Sequence, residues 1–138
     1  MVRSESVSLD LGLLLALVLG PAVNGCGTDM SSRRVLQSMT VTPALADAAK
    51  SPGGEVQYTA TGTFSRSPSP AVVPFVEPYT GSWTVSNPAI ATISQSGLAQ
   101  CVPGASGTVD VKAIASANSA GMGAMSIAVT AMAKLTCP

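Results

Sequence analysis

The sequence predicts an all-β fold, and three observations carry that expectation. Ala, Val, Ser, Thr, Gly and Pro dominate the chain, a composition that favours short strands joined by turns over long helices. "EVQYTATGTF", residues 55 to 64, alternates apolar with polar side chains, the period of a half-buried strand. Turn-forming clusters, "SNP", "SQSG" and "PGASG", then recur at short intervals. The chain has 138 residues, room for one domain once a leader is set aside.

Charge narrows the function classes. Only 10% of residues are charged, seven basic against seven acidic, so no basic field is available for phosphates and no nucleic-acid partner is expected. The chain contains no His, which removes the side chain that most often serves as general base near neutral pH and as nitrogen ligand to transition metals. Beyond the leader the carboxylates Asp29, Asp47, Glu55, Glu77 and Asp110 are dispersed, and no nucleophile sits beside a base. The expectation is a non-enzymatic protein without cofactor or metal; its rival is a hydrolase whose carboxylates are paired only in space.

The first residues read as an address. "MVRSESVSLD" gives way to "LGLLLALVLGPAV", an uncharged apolar run of about thirteen residues, shorter than the roughly 20 a membrane span needs. That is the length of a signal peptide, assigned to residues 1–25. The run ends in Val23-Asn24-Gly25-Cys26, which resembles a bacterial lipobox, in which the Cys is lipidated and then becomes the first residue. The resemblance implies export and a membrane partner reached through a lipid on Cys26. Gly27 stands where an Asp would favour inner-membrane retention in some bacteria, so the expected location is the outer membrane or cell surface. Ordinary cleavage near Gly25 and a retained anchor are the alternatives. Residues 26–35 are polar and lack periodicity, and they read as a tether between lipid and a domain spanning 36–138.

Cysteine arithmetic agrees with this division. Three Cys in an exported chain leave one odd thiol, and lipidation of Cys26 leaves Cys101 and Cys137 as a pair. A disulfide is expected between them; the rival, a metal site, would have two Cys and no His, an incomplete zinc set.

The strands follow in order. "LQSMTVTP" is a short strand ended by Pro43, and "ALADAAKSPGGE", too short to stand as a helix, is expected to be irregular or an edge strand. In 55–64, Val56, Tyr58, Ala60, Gly62 and Phe64 share the core face. "SWTV" turns Trp83 and Val85 inward, and Asn87-Pro88 starts a turn. Ile90 and Ile93 are three apart, so a tight turn must separate them. Gly97 offers the positive φ needed before "LAQC", which brings Leu98 to the core. "TVDVKAIA" places Val109 and Val111 inward with Asp110 and Lys112 outward. "SIAVTAMAKLTC" puts Ile127, Val129, Ala131, Ala133, Leu135 and Cys137 on one parity.

About seven short strands spaced by turns over some 100 residues are the signature of an immunoglobulin-like β-sandwich. "SMTVTPA", "VQYTATGTFS", "SWTVSNPAIATISQSGLAQ" and "GTVDVKAIA", within residues 36 to 115, resemble the bacterial immunoglobulin-like domain, group 2, also found in invasin- and intimin-type surface adhesins. The resemblance implies adhesion or the binding of a protein or glycan; a spacer or accessory subunit of a larger envelope assembly is the alternative.

Residues 65 to 81, "SRSPSPAVVPFVEPYTG", form a longer and more Pro-rich segment than the polar loop usual in that family. Two readings stand. Phe75 and Tyr79, flanked by Pro74 and Pro78, form an exposed binding patch, or the segment is an edge strand whose prolines block unwanted pairing. Met122, Met125 and Met132 read as loop and core packing, and Arg33-Arg34 as part of the solvated tether.

Overall fold

The fold was derived from a computed structural model that describes residues 34–117 and 127–138. The expected leader, Cys26, Met122 and Met125 lie outside the described residues. Among the described residues the regular structure is all-β apart from two single 3₁₀ turns. Within those residues ten strands run in order: β1 (Leu36–Thr42), β2 (Leu45–Asp47), β3 (Glu55–Gln57), β4 (Thr59–Phe64), β5 (Ala71–Val72), β6 (Gly81–Val85), β7 (Ala91–Ile93), β8 (Leu98–Cys101), β9 (Gly107–Ser116) and β10 (Ala128–Cys137).

Ten strands replace the expected seven or so for identifiable reasons. The alternating run at 55–64 is a continuous path on one parity, but its hydrogen bonds change partner at Tyr58. β3 pairs with β8, whereas β4 pairs with β1 on one side and β5 on the other. The Ala-rich segment contributes β2, which lies parallel to β10 at the sheet edge through Leu45 opposite Lys134. It then breaks into the turns Ala48–Lys50 and Pro52–Gly54, the first capped by the Asp47 carboxylate accepting from the Ala49 N–H at 3.0 Å.

The hydrogen-bonded orders are β1-β4-β5, β3-β8-β7 and β2-β10-β9-β6. Because β3 and β4 are one stretch of chain, the first two orders share a layer around that strand. All three orders contribute side chains to a single sandwich-like core. Tyr58, Leu36, Leu135, Val109 and Val111 are its largest fully buried side chains. Alternation persists through ten residues in both β9 and β10, where Val109, Val111, Ala113 and Ala115 face Ala131, Ala133 and Leu135 across the same layer. Among the described residues none that is buried is polar or charged, and no helix is long and apolar enough to cross a membrane.

The inward residues differ from expectation in three places. Ile127 keeps its parity but lies beyond the first β10–β9 pair, Ala128 with Ser116. Only its main chain closes the ladder, accepting from the Ala117 N–H at 2.7 Å, and its side chain is 70% exposed. In the β7–β8 hairpin the small residues Ala91 and Ala99 occupy the core, so that Ile93 and Leu98 are half-buried instead. Ile90 and Val129 are likewise half-buried, packed against the core from its margin. Ile90 ends the turn begun by Asn87, whose side-chain oxygen accepts from the Ala89 N–H and whose carbonyl accepts from the Ile90 and Ala91 N–H groups.

Candidate functional site

The 65–81 segment is built from the strand ends on which it stands. β5 extends β4 by two residues, Thr61 opposite Val72 and Gly62 opposite Ala71, and the Val73 N–H donates to the Ala60 carbonyl at 2.9 Å. Pro70 and Pro74 bracket this piece and withhold N–H groups from any further strand, the means by which natural edges avoid unwanted pairing.

The aromatics of this segment face inward, which corrects the exposed patch expected of Phe75 and Tyr79. Tyr79 is 7% exposed, packs edge-on against Phe64 at 5.1 Å between ring centres, and donates its hydroxyl to the Arg34 carbonyl at 2.7 Å. Phe75 is half-buried, adopts φ +54, and meets Trp83 edge-on at 5.3 Å. The reason is scarcity: with one Trp, two Tyr and two Phe in the whole chain, a small sandwich fills its volume with every ring it has. The exposed apolar side chains of the segment are Val72 and Val76.

Arg34, expected in the solvated tether, is instead held against the domain. Its guanidinium lies 3.5 Å from the centre of the Phe64 ring and donates to the carbonyls of Arg66 and Pro68. Next to it the Val35 N–H donates to Ser65 Oγ at 2.9 Å, and the Ser65 N–H to the Val35 carbonyl, also at 2.9 Å. Arg34 and Val35 are therefore held by the 65–81 segment through side chain and main chain. No local signal marks this. The partners are about 30 residues away and become neighbours only through the β1–β4 register.

Several concavities lie on this framework. A slot of ≈ 210 Å³ lies between the end of β5 and the β7–β8 turn, lined among others by Gln57, Pro74, Phe75, Trp83 and Gln95. A hollow of ≈ 510 Å³ at the other end runs along the 3₁₀ turns to Gln100 and Cys101. There Gln100 donates to the Glu55 carboxylate. A third, ≈ 410 Å³, lies on the outer face between Leu45 and Met132, beside the Lys134–Asp110 ion pair of 2.8 Å. Met132 is 57% exposed and so is not core packing.

The sulfurs of Cys101 and Cys137 lie at disulfide distance, with Cα atoms 5.8 Å apart, inside the span of about 4.4 to 6.8 Å that such bonds use. The pair links the end of β8 to the end of β10 and so ties two hydrogen-bonded layers together. Among the other ionisable groups, Asp47 pairs with Lys50 at 3.2 Å, and burial pushes the Tyr58 hydroxyl up to about 12. Among the described residues no group of three or more His, Cys, Asp or Glu gathers to hold a metal ion. No family model matches the chain, and no curated protein matches it.

Proposed function

We propose that the chain is a non-enzymatic, lipid-anchored protein of the bacterial cell envelope whose single immunoglobulin-like module serves surface display, adhesion or binding. The observation that supports the module most is strand order. One layer runs β1, the β3–β4 strand, β8, β7, and the other β2, β10, β9, β6. This order agrees with the A-B-E-D and A′-G-F-C order of an immunoglobulin-like sandwich, in which the first strand is divided between the layers, as β1 and β2 are here, β2 lying parallel to β10. The group 2 resemblance of residues 36 to 115 adds adhesion to that reading, and the lipobox-like Val23-Asn24-Gly25-Cys26 adds the anchor.

Arg34 agrees with a module hung from its N-terminal end. A tether that ran into a frayed strand would loosen the domain under load, whereas here Arg34, just ahead of β1, is fastened to the 65–81 segment by side chain and main chain. The test is fractionation of bacteria producing the full chain or Cys26→Ser with a labelled fatty acid. A labelled, membrane-bound chain that becomes unlabelled on substitution is expected; an unlabelled wild-type chain would overturn the anchor.

The accessory-subunit alternative has its own observation, since Leu45 on edge strand β2 is 74% exposed beside exposed Met132. Recovery of a stoichiometric protein partner in native detergent, lost with Leu45→Asp, would favour it over display.

A further inference from the structure

We infer that the ≈ 210 Å³ slot between β5 and the β7–β8 turn is a binding site for one neutral pyranose ring, a reading that rests on the display module and names its ligand class. The slot arises from topology. Along one side of the β3–β4 strand, pairing with the β7–β8 hairpin ends where the Tyr58 N–H donates to the Gly97 carbonyl at 2.8 Å. It resumes with β5 where Ala60 accepts from Val73. Between those two bonds this side of the strand has no partner strand among the described residues.

The polar groups there are complementary and positioned. Trp83 lines the slot at 6% exposure, and its indole N–H has no hydrogen-bond partner among the described residues, although a buried indole normally finds one. Gln57 donates through its amide nitrogen to the Tyr58 carbonyl at 2.9 Å and the Ser96 carbonyl at 2.8 Å. Those two bonds fix the amide and leave Oε1 as a held, unused acceptor. Gln95, exposed at the turn, supplies an adaptable second amide. Trp83 and Gln57 both line the slot, and a donor and an acceptor without protein partners among the described residues suit hydroxyl groups, each of which accepts and donates.

The walls settle the rest of the ligand's chemistry. Exposed Pro74 and half-buried Phe75 offer apolar surface for the C–H face of a ring. No side chain that is charged at neutral pH lines the slot, so nothing there offsets the desolvation of a carboxylate or amine. The slot, at ≈ 210 Å³, is of a size to seat one ring. A ligand of about a dozen heavy atoms at ordinary efficiency binds at roughly millimolar concentration.

Trp83 is the only tryptophan, so its fluorescence and its indole ¹H–¹⁵N cross-peak both report on the slot. Folded full-length chain is titrated with methyl glycosides of neutral hexoses and N-acetylhexosamines and with a uronic acid. Saturable movement of both signals with a neutral glycoside, absent with the uronic acid, is expected. Gln95→Ala should weaken it about fivefold or more without changing the melting temperature, and Leu45→Ala should leave it alone. A terminal residue of a larger glycan tolerates the anomeric methyl group, whereas a site for free sugar responds only to the unblocked hexose. Signals unmoved by every neutral sugar to about 50 mM, or moved equally in Gln95→Ala, would overturn the site. The anchor is read separately: a lipidated chain that fails here keeps the display reading, and an unlipidated chain that binds keeps the slot.

Discussion

The Tyr79 hydroxyl donates to the Arg34 carbonyl across 2.7 Å, joining the residues ahead of β1 to the last turn of the 65–81 segment. Both side chains converge on Phe64, Tyr79 as an edge-on ring and Arg34 as a cation over the face. A segment that reads as an appendage is thus part of the core. Tyr79→Phe retains the ring and deletes only the bond, so it should cost about 1 kcal/mol. Arg34→Ala removes the cation–π contact and two bonds to carbonyls and should cost more, roughly 1–3 kcal/mol. Chemical-denaturation midpoints of the three proteins measure the order.

The bond between Cys101 and Cys137 closes a loop with a sequence separation of 36. On the chain-entropy model such a loop stabilises the fold by roughly 4 kcal/mol through its effect on the unfolded chain. Reduction should therefore lower the melting temperature by many degrees. Unchanged melting, with both thiols titratable, would remove the bond from this description.

Tyr58 predicts a pH dependence. Its hydroxyl donates to the Lys134 carbonyl at 3.0 Å, and burial raises its pKa from 10.0 to about 12. Below pH 10 the phenol is neutral in both folded and unfolded chains and adds no dependence. Between pH 10 and 12 only the unfolded chain ionises, so the raised pKa makes stability fall as pH rises through that window. Denaturation midpoints from pH 9 to 12 should show a steeper loss for the wild type than for Tyr58→Phe.

Two substitutions separate parity from burial in β10 and its approach. Leu135→Ala empties a site that is 0% exposed and should cost about 2–5 kcal/mol. Ile127→Ala, on the same parity at 70% exposure, should change stability by no more than about 0.5 kcal/mol. Gly97→Ala tests the turn: Gly97 adopts φ +84, and a Cβ there would meet the Tyr58 carbonyl oxygen, so a loss of roughly 1–3 kcal/mol is expected from thermal unfolding.

Side-chain alternation made the faces of 55–64, β9 and β10 legible, because period two is written directly into residue type. The corner at Asn87 and the positive φ at Gly97 were legible for the same local reason. Pairing was not. Nothing in the side chains of Val56, Tyr58 and Ala60 records that their main chain changes partners midway, and a three-residue parallel strand such as β2 carries too few residues to announce itself. The slot beside Trp83 was hidden with that change of partners. Arg34 was hidden by its type, since a charged residue next to a polar stretch looks solvated until distant carbonyls are brought to it. Phe75 and Tyr79 misled in the opposite direction: the prolines around them mark a surface path, while the need to fill a small core decides where the rings point.

The lipid-anchored display reading is tested most directly by the intact mass of the protein purified from a bacterial membrane fraction, with and without reductant. The predicted result is a chain beginning at Cys26, carrying a diacylglyceryl group and a further acyl chain, and lighter by two hydrogens before reduction. An unmodified chain, or one cleaved elsewhere than before Cys26, would contradict the anchor on which that reading depends.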